Sequence, residues 1–299
     1  MKVYLVDGTY ELFRHHFGMP SRQTANGVGL GATRGVVSSV LAMLEGGVTH
    51  LGVATDHVVE SFRNQLWPGY KTSAGMPPEI LRQFSVVEHA LQAMGVVVWP
   101  MVELEADDAL ASAAVLCGED PRVEQIVICT PDKDLAQCVV DQRVVQLDRR
   151  TQTLIDAQGV RDKYGVAPDS IPEWLALVGD RADGFPGLPG WGKRSASVVL
   201  SHYGTIEQVP DDVDRWDPAV RKSVRGAASL ASALTENRGR ALLFRTLATL
   251  RIERGLLRSV EDLAWHGPDP DFERVSSVLG DPHLYKRATA LAHRLKTGA

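Results

Sequence analysis

The chain has 299 residues, of which 44% are hydrophobic and 23% charged. That is ordinary globular usage, with length enough for one large domain or a main domain plus a subsidiary one, and it excludes a disordered tail or a fibre. Lys and Arg number 32 against 37 Asp and Glu, a formal net charge of −5, which taken as a whole argues against a polyanion-binding surface.

Cys117, Cys129 and Cys138 form an odd set without CxxC spacing. This fits reduced thiols in the cytoplasm and neither a disulfide framework nor a zinc site. Asp7 interrupts the N-terminal run Met1–Val6 before a signal-peptide apolar region forms, and no apolar run approaches the length of a membrane span. A soluble intracellular protein with no membrane partner is predicted.

The first half alternates strand-like and helix-like segments. Short β-branched runs occur at 2–6, 48–55, 95–99, 126–129 and 144–147. Between them, Thr33, Val37, Val40 and Leu44 share one helical face; Ile80, Phe84, Val87, Leu91 and Met94 share another; Ala109, Leu110, Ala113, Ala114 and Cys117 form a third stripe. The glycines at 27, 29, 31 and 35 read as a mobile loop entering a helix. Such alternation predicts an α/β domain with a mainly parallel sheet over 1–170. From Ile171 onward the strand signal disappears, and 171–178, 193–202, 230–250 and 284–295 read as helices, with a polar loop at 211–218. A helical region over 171–299 is expected.

Carboxylates gather at particular points of this pattern. Asp7 and Asp56 each follow a predicted strand, Asp132 and Asp134 follow the strand ending at Cys129, and Glu105, Asp107 and Asp108 open a predicted helix. Asp180 and Asp183 lie just beyond the first helix of the second half. Residues beyond the carboxyl ends of parallel strands converge on the ligand crevice. Any one of these acids alone reads more simply as a cap or a solvated side chain. Nine from five segments are harder to dismiss, because like charges crowded into a crevice repel unless cations offset them. Hard oxygen donors without a His/Cys cluster suit Mg2+ or Mn2+, and two such ions can activate water for an in-line phosphoryl displacement. Metal-dependent phosphoester hydrolysis follows.

Two motifs compete. Val6-Asp7-Gly8-Thr9 resembles the DxDGT motif of haloacid dehalogenase-like phosphatases, but the position of the aspartyl nucleophile is Leu5. The run from Gly187 to Arg194 is one residue short of a Walker A loop, has Arg194 in place of the Mg2+-binding Ser/Thr, and follows a helix instead of a strand. It fits a glycine-rich turn between helices, whose exposed N–H groups at the start of a helix near Lys193 hold phosphate and grip a DNA backbone without reading bases. A plain helix–helix turn is the simpler alternative.

With Gly184-Phe185-Pro186-Gly187 closing the last acidic group, these motifs resemble, in order and spacing over about 3–250, the bacterial 5′-nucleases: the 5′-3′ exonuclease domain of DNA polymerase I and the flap endonucleases. The resemblance implies a PIN-like nuclease core, and it makes all nine acids metal ligands. Asp7, Asp56, Glu105, Asp107 and Asp108 would serve the tighter site, and Asp132, Asp134, Asp180 and Asp183 the second. It places a helix–three-turn–helix at 172–202, with Gly187, Gly190, Gly192, Lys193, Arg194 and Ser195 on DNA and a potassium ion among carbonyls there. It places a helical arch at 58–95, where Phe62-Arg63 and Tyr70-Lys71 match family elements. Lys71, Arg63 and Arg14 match catalytic cations, and Tyr70 or Phe62 could stack a base, with plain packing of Tyr70 and a surface role for Arg63 as the alternatives. Ala74 stands where the family commonly has an arch arginine, and Lys193-Arg194-Ser195 replaces its acid-Lys-Thr.

The expected substrate is DNA with a free 5′ end or a 5′ flap, with RNA primers as a further substrate and a monomer as the working state. Two alternatives stay open: a structure-selective DNA-binding protein with weak or lost catalysis, and a PIN-like ribonuclease, which would have no use for the turn at 187–195. The charge distribution favours DNA. Residues 1–186 hold 15 basic and 24 acidic side chains, whereas 187–258 hold 12 and 7, so the basic surplus lies where the duplex is expected.

Overall fold

The structure, a computed structural model, describes residues 1–18 and 29–297. Of the glycine stretch at 27–35, Gly27 lies outside the described residues, and Gly31 and Gly35 lie within the helix over Gly31–Glu45. The chain forms two compact units: Met1–Val59, Ser73–Thr130 and Ile252–Ala299 make unit 1, and Glu60–Thr72 with Pro131–Arg251 make unit 2.

In chain order the first elements are β1 (Lys2–Asp7), α1 (Gly8–Gly18), α2 (Gly31–Glu45), β2 (His50–Thr55) and α3 (Phe62–Leu66), the last in unit 2. They are followed in unit 1 by α4 (Pro78–Leu81), α5 (Gln83–Ala93), β3 (Val97–Pro100), α6 (Ala106–Gly118) and β4 (Gln125–Cys129). In unit 1, β1 pairs in parallel with both β2 and β4, and β2 with β3, giving the order β3-β2-β1-β4. The strands are short apolar runs because a parallel sheet is buried on both faces, and Val3, Leu5, Val6, Leu51, Val53 and Ile128 are all buried. Gly52 is required inside β2, where a Cβ would lie 2.4 Å from the Trp99 ring.

The stripe Ile80, Phe84, Val87, Leu91 and Met94 is fully buried in unit 1. This alters the arch expectation for 58–95. Residues 60–72 belong to unit 2 and 78–94 to the core of unit 1, because an apolar stripe at helical spacing is buried when a sheet is present to receive it. The exposed link between them is short and includes Ala74 and Gly75.

Unit 2 contains β5 (Val144–Asp148), β6 (Thr153–Ile155), α7 (Ala157–Tyr164), α8 (Ile171–Val178), α9 (Lys193–Tyr203), α10 (Pro218–Ser223) and α11 (Ala227–Ala248). The β5–β6 pair is antiparallel, and β6 has no counterpart among the strand-like runs because it has only three residues. Helix α11 is kinked at Asn237, whose φ of −121° leaves the helical range. The unit's core gathers Trp174, Leu175, Leu177, Phe185, Trp191, Trp216 and Phe244. Within 211–218, Asp217 caps α10 by accepting the N–H of Ala219 at 2.8 Å.

The chain then returns to unit 1 with α12 (Phe272–Val278) and α13 (His283–Thr297). The expectation of one helical region over 171–299 is therefore corrected: residues from 252 fold with the first part of the chain. Trp265 decides this, since its backbone N–H donates to the Thr49 carbonyl and its indole N–H to the Met94 carbonyl, both at 2.8 Å. Trp265→Ala should cost about 3–5 kcal/mol of unfolding free energy in urea titrations. A change under about 1 kcal/mol would show that the C-terminal segment contributes little to unit 1.

Candidate active site

In unit 1 the acids lie where the parallel strands end. Asp7 closes β1; its Oδ1 accepts the Tyr10 N–H and its Oδ2 the Thr130 hydroxyl, each at 2.8 Å. Asp56 follows β2, and its N–H donates to Thr9 Oγ1 while its Oδ1 accepts the Ala106 N–H at the start of α6, again at 2.8 Å. Glu105 caps α6, and its N–H donates to Asp108 Oδ2 at 3.0 Å. One ladder of short hydrogen bonds thus ties β1, β2 and α6 through their acids. Asp7, Asp56, Glu105 and Asp108 are buried and Asp107 is half-buried. Four carboxylates taken out of water in this way call for positive charge.

A further acid supports this set. Glu88 on α5 is buried and accepts the Thr55 hydroxyl and shares a 2.7 Å contact with His57 Nδ1, so it braces both neighbours of Asp56. Its signal in the sequence was an acid among Phe84, Val87 and Leu91 on the core face of α5, where a charge needs a partner.

In unit 2, Asp134, Asp180 and Asp183 are all buried and offer carboxylate oxygens within 4.8 Å of one another. Asp132 is beside them in the chain, and its Oδ1 accepts the Asp134 N–H at 2.9 Å. Asp180 Oδ1 accepts the Ala182 N–H at 2.9 Å. Burial, and then the charges of Asp132 and Asp183, hold the Asp134 carboxyl well above the usual range, although Lys133 opposes this. Asp134 Oδ1 is buried without a hydrogen-bond partner among the described residues. Lys133 forms an ion pair with Asp180 and sits 3.9 Å from Asp134. Burial pulls its ammonium down, but Asp134, Asp180 and Asp132 together raise it above its ordinary value. A crowded carboxylate trio with an orphaned oxygen fits a hard divalent cation. Asp7, Asp56 and the 105–108 group in unit 1 present the same oxygen-only chemistry.

Lys71 is held against this trio. Its N–H donates to the Asp183 carbonyl at 2.9 Å and its Nζ lies 3.2 Å from Asp183 Oδ1. The loop that places Asp180 and Asp183 depends on glycine. Gly184 has φ +83° with a would-be Cβ 2.0 Å from the Gly69 carbonyl, and Gly187 has φ +69° with one 2.4 Å from the Gly179 nitrogen. Trp67 adds an indole N–H to the Gly184 carbonyl at 3.0 Å.

Other expected site residues are placed differently. Arg63 is 1% exposed, and its guanidinium donates to the carbonyls of Leu247 and Thr249 at 2.7 and 3.2 Å, which makes it a structural tie instead of a catalytic cation. Tyr70 is packed in the unit 2 core, which leaves its ring no face for a base. Phe62 is covered on one side by Arg251, 3.2 Å from the ring centre. Arg14 pairs with the buried Glu11 one turn earlier on α1.

The 179–192 turn joins α8 to α9, a helix–turn–helix and not a strand-borne Walker loop. Helix α9 starts at Lys193 as expected. The Ser195 hydroxyl accepts the N–H of Gly192, the N-cap of α9, at 3.0 Å, so that hydroxyl is engaged in closing the first turn of the helix. Lys193 and Arg194 are exposed. Gly190 has φ +78°, while at Gly192 a Cβ would meet open space.

Residues 2–165 match the family described as 5′-3′ exonuclease, N-terminal resolvase-like domain, and residues 166–271 match 5′-3′ exonuclease, C-terminal SAM fold. The chain belongs to the 5′-3′ exonuclease family. It is 31% identical over 259 residues to DNA polymerase I of Pseudomonas aeruginosa, covering 83% of this chain and 27% of that protein. It is 28% identical over 251 residues to a 5′-3′ exonuclease of Buchnera aphidicola subsp. Baizongia pistaciae, covering 83% and 81%. The chain thus spans less than a third of the polymerases it matches. Among solved structures, phage T5 5′-exonuclease with bound zinc shares the fold of this family member at TM-score 0.68 and 15% identity, covering 98% and 99% of the two chains. The catalytic core of Rad2 in complex with DNA substrate does so at 0.64 and 15%, covering 97% and 92%. A mainly parallel sheet with a helical C-terminal part is the fold of this family.

Removing charge at Asp134 tests the unit 2 trio. A carboxyl whose folded-state value is raised adds stability below the ordinary carboxylate range and loses it as pH rises through the folded value. Asp134→Asn should therefore raise the melting temperature of the chelator-treated protein at pH 7 by about 2 °C or more. It should also remove most of the gain that Mn2+ gives the wild type. A full Mn2+ gain in the variant would show that this trio does not hold the ion.

Proposed function

We propose that this member of the family is a divalent-metal-dependent 5′-nuclease that hydrolyses phosphodiester bonds in DNA with a free 5′ end or a 5′ flap. The observation that carries the reading is the buried trio Asp134, Asp180 and Asp183, with the orphaned Asp134 oxygen and Lys71 held beside it. Mg2+ or Mn2+ suits both acid sets, with one ion assigned to Asp7, Asp56, Glu105, Asp107 and Asp108 and a second to Asp132, Asp134, Asp180 and Asp183. When bound, two such ions lower the pKa of a water and stabilise both oxygens of the in-line displacement. Lys71 supplies the remaining positive charge, and its ion pair with Asp183 orients the ammonium before a phosphate arrives. Lys133 holds Asp180 in place.

The turn into α9 supports a backbone grip. The N–H groups of Lys193, Arg194 and Ser195 have no acceptor among the described residues, and no acid occupies the first turn of α9. The carbonyls of Pro189 and Gly190 accept no hydrogen bond among the described residues, which suits a monovalent cation such as potassium. RNA in primers is a further substrate under this reading, and the protein works as a monomer. Among the described residues the three cysteines form no disulfide, and burial pushes the Cys117 thiol up to about 12; among the described residues no helix is long and apolar enough to cross a membrane. A cytoplasmic setting accords with both.

Incubation of a 5′-flap duplex and a hairpin RNA with Mg2+ or Mn2+ tests the reading. The wild type should cut the flap in preference to the RNA, and Asp132→Ala should lose at least about 100-fold in rate. Binding without cleavage by the wild type would favour a DNA-binding protein, preferred RNA cleavage a ribonuclease. Equal cleavage by the variant would displace Asp132 from the site. Lys71→Ala should lower kcat by about 100-fold or more while leaving the Kd for the duplex within about threefold. A loss confined to Kd would make Lys71 a binding residue only.

A further inference from the structure

The acids of unit 1 are not all held by the sheet. Asp7 is the last residue of β1 and pairs in register with Ala54 of β2. Asp56 lies one residue beyond β2, where the ladder with β3 has ended at Thr55 and Pro100. Its place is fixed by other means. The Thr55 carbonyl accepts the Met101 N–H at 2.8 Å, and the Val58 N–H donates to the Met101 carbonyl at 3.0 Å. Those bonds tie the backbone on both sides of Asp56 to one residue. The side chains that flank Asp56, Thr55 and His57, are held by a different element.

That element is α5, through Glu88. Its Oε1 accepts the Thr55 hydroxyl and its Oε2 meets His57 Nδ1, each at 2.7 Å. Glu88 is buried on the same helix as the buried Phe84, Val87 and Leu91. A carboxylate in that company costs desolvation, which an apolar side chain of similar size would avoid. Covering its partner does not offset this, because the His57 side chain is 41% exposed. What two bonds to one carboxylate accomplish is geometric. Residues 55 and 57 are clamped to a helix, and Asp56 between them loses the freedom to turn. In that pose Asp56 Oδ1 accepts the Ala106 N–H and the Asp56 N–H donates to the Thr9 hydroxyl, each at 2.8 Å.

We propose that Glu88 is a positioning residue that makes the unit 1 acids a rigid site, selective for a small divalent cation over a larger one. It acts through Thr55 and His57 on Asp56. The proposal rests on the nuclease reading, in which Asp56 is a metal ligand. Mg2+ demands near-ideal octahedral geometry at about 2.1 Å, whereas Ca2+ accepts irregular sets of oxygens at about 2.3–2.6 Å. Loosening Asp56 therefore penalises the small ion and spares the large one.

The test is ion affinity, read by displacement of Mn2+ by Mg2+ or Ca2+ and followed by electron paramagnetic resonance of the free Mn2+. An Asp134→Asn background keeps the unit 2 trio out of the measurement. Glu88→Leu should raise the Kd for Mg2+ by about tenfold or more and leave that for Ca2+ within about threefold. Glu88→Gln should keep the Mg2+ value within about threefold, because its amide oxygen accepts from one partner while its NH2 donates to the other. His57→Ala removes one arm of the clamp at an exposed ring, where the fold tolerates it, and should raise the Mg2+ Kd by about threefold or more while sparing Ca2+. Circular dichroism and melting temperature establish that each variant is folded, and His57→Ala carries the test if Glu88→Leu is not. An unchanged Mg2+ Kd in the folded variants overturns the proposal. So do equal losses for Mg2+ and Ca2+, which would mean local damage, and a loss in Glu88→Gln as large as in Glu88→Leu, which would mean charge. A background that binds no Mn2+ although the wild type does also overturns it, since the unit 1 acids then hold no ion by themselves. Failure of the nuclease reading is separate, because it appears as absent metal-dependent cleavage by the wild type whatever the ion affinities are.

Discussion

The mutual repulsion of buried carboxylates is the constraint that organises this molecule. In unit 1, four acids have left water at the ends of β1 and β2 and the start of α6. Asp7, Asp56 and Asp108 accept hydrogen bonds from the backbone or from a hydroxyl, so those oxygens are fixed before any cation arrives. In unit 2 the same problem is met with lysines. Lys133 and Lys71 each take one carboxylate, and Asp134 keeps one oxygen with no hydrogen-bond donor among the described residues. That difference has a chemical consequence. The unit 1 acids accept hydrogen bonds from fixed donors, whereas burial and like charge raise the Asp134 carboxyl well above its ordinary range.

The scaffold around each set serves its rigidity. Parallel strands buried on both faces carry Asp7 and Asp56 with little freedom, and Glu88 braces Thr55 and His57 on either side of Asp56. In unit 2, close backbone approaches at Gly184 and Gly187 fold the 179–187 loop against residues 67–71. Lys71 reaches Asp183 because Arg63 and Trp67 fasten the segment that carries it. Arg63, a cation that matched a catalytic position in the sequence, thus acts one step away from the chemistry, as an anchor.

Charge is partitioned as well as placed. The overall −5 conceals an acidic excess in 1–186 and a basic surplus in 187–258. A polyanion is the partner such a distribution suits.

The sequence by itself determined the element types, the acids at strand ends, the helix starting at Lys193 and the family, because periodicity and strand-end position are local properties of the chain. It could not determine which side chains those elements would bury. Arg63 and Tyr70 look alike, as sequence, whether they face a substrate or a core, and only tertiary packing put both inside unit 2. Glu88 owes its role to Thr55 and His57, 31 or more positions away, beyond the reach of any local pattern. The return of residues 252–299 to unit 1 was likewise decided by Trp265, whose two hydrogen bonds go to carbonyls that only the folded chain brings to it.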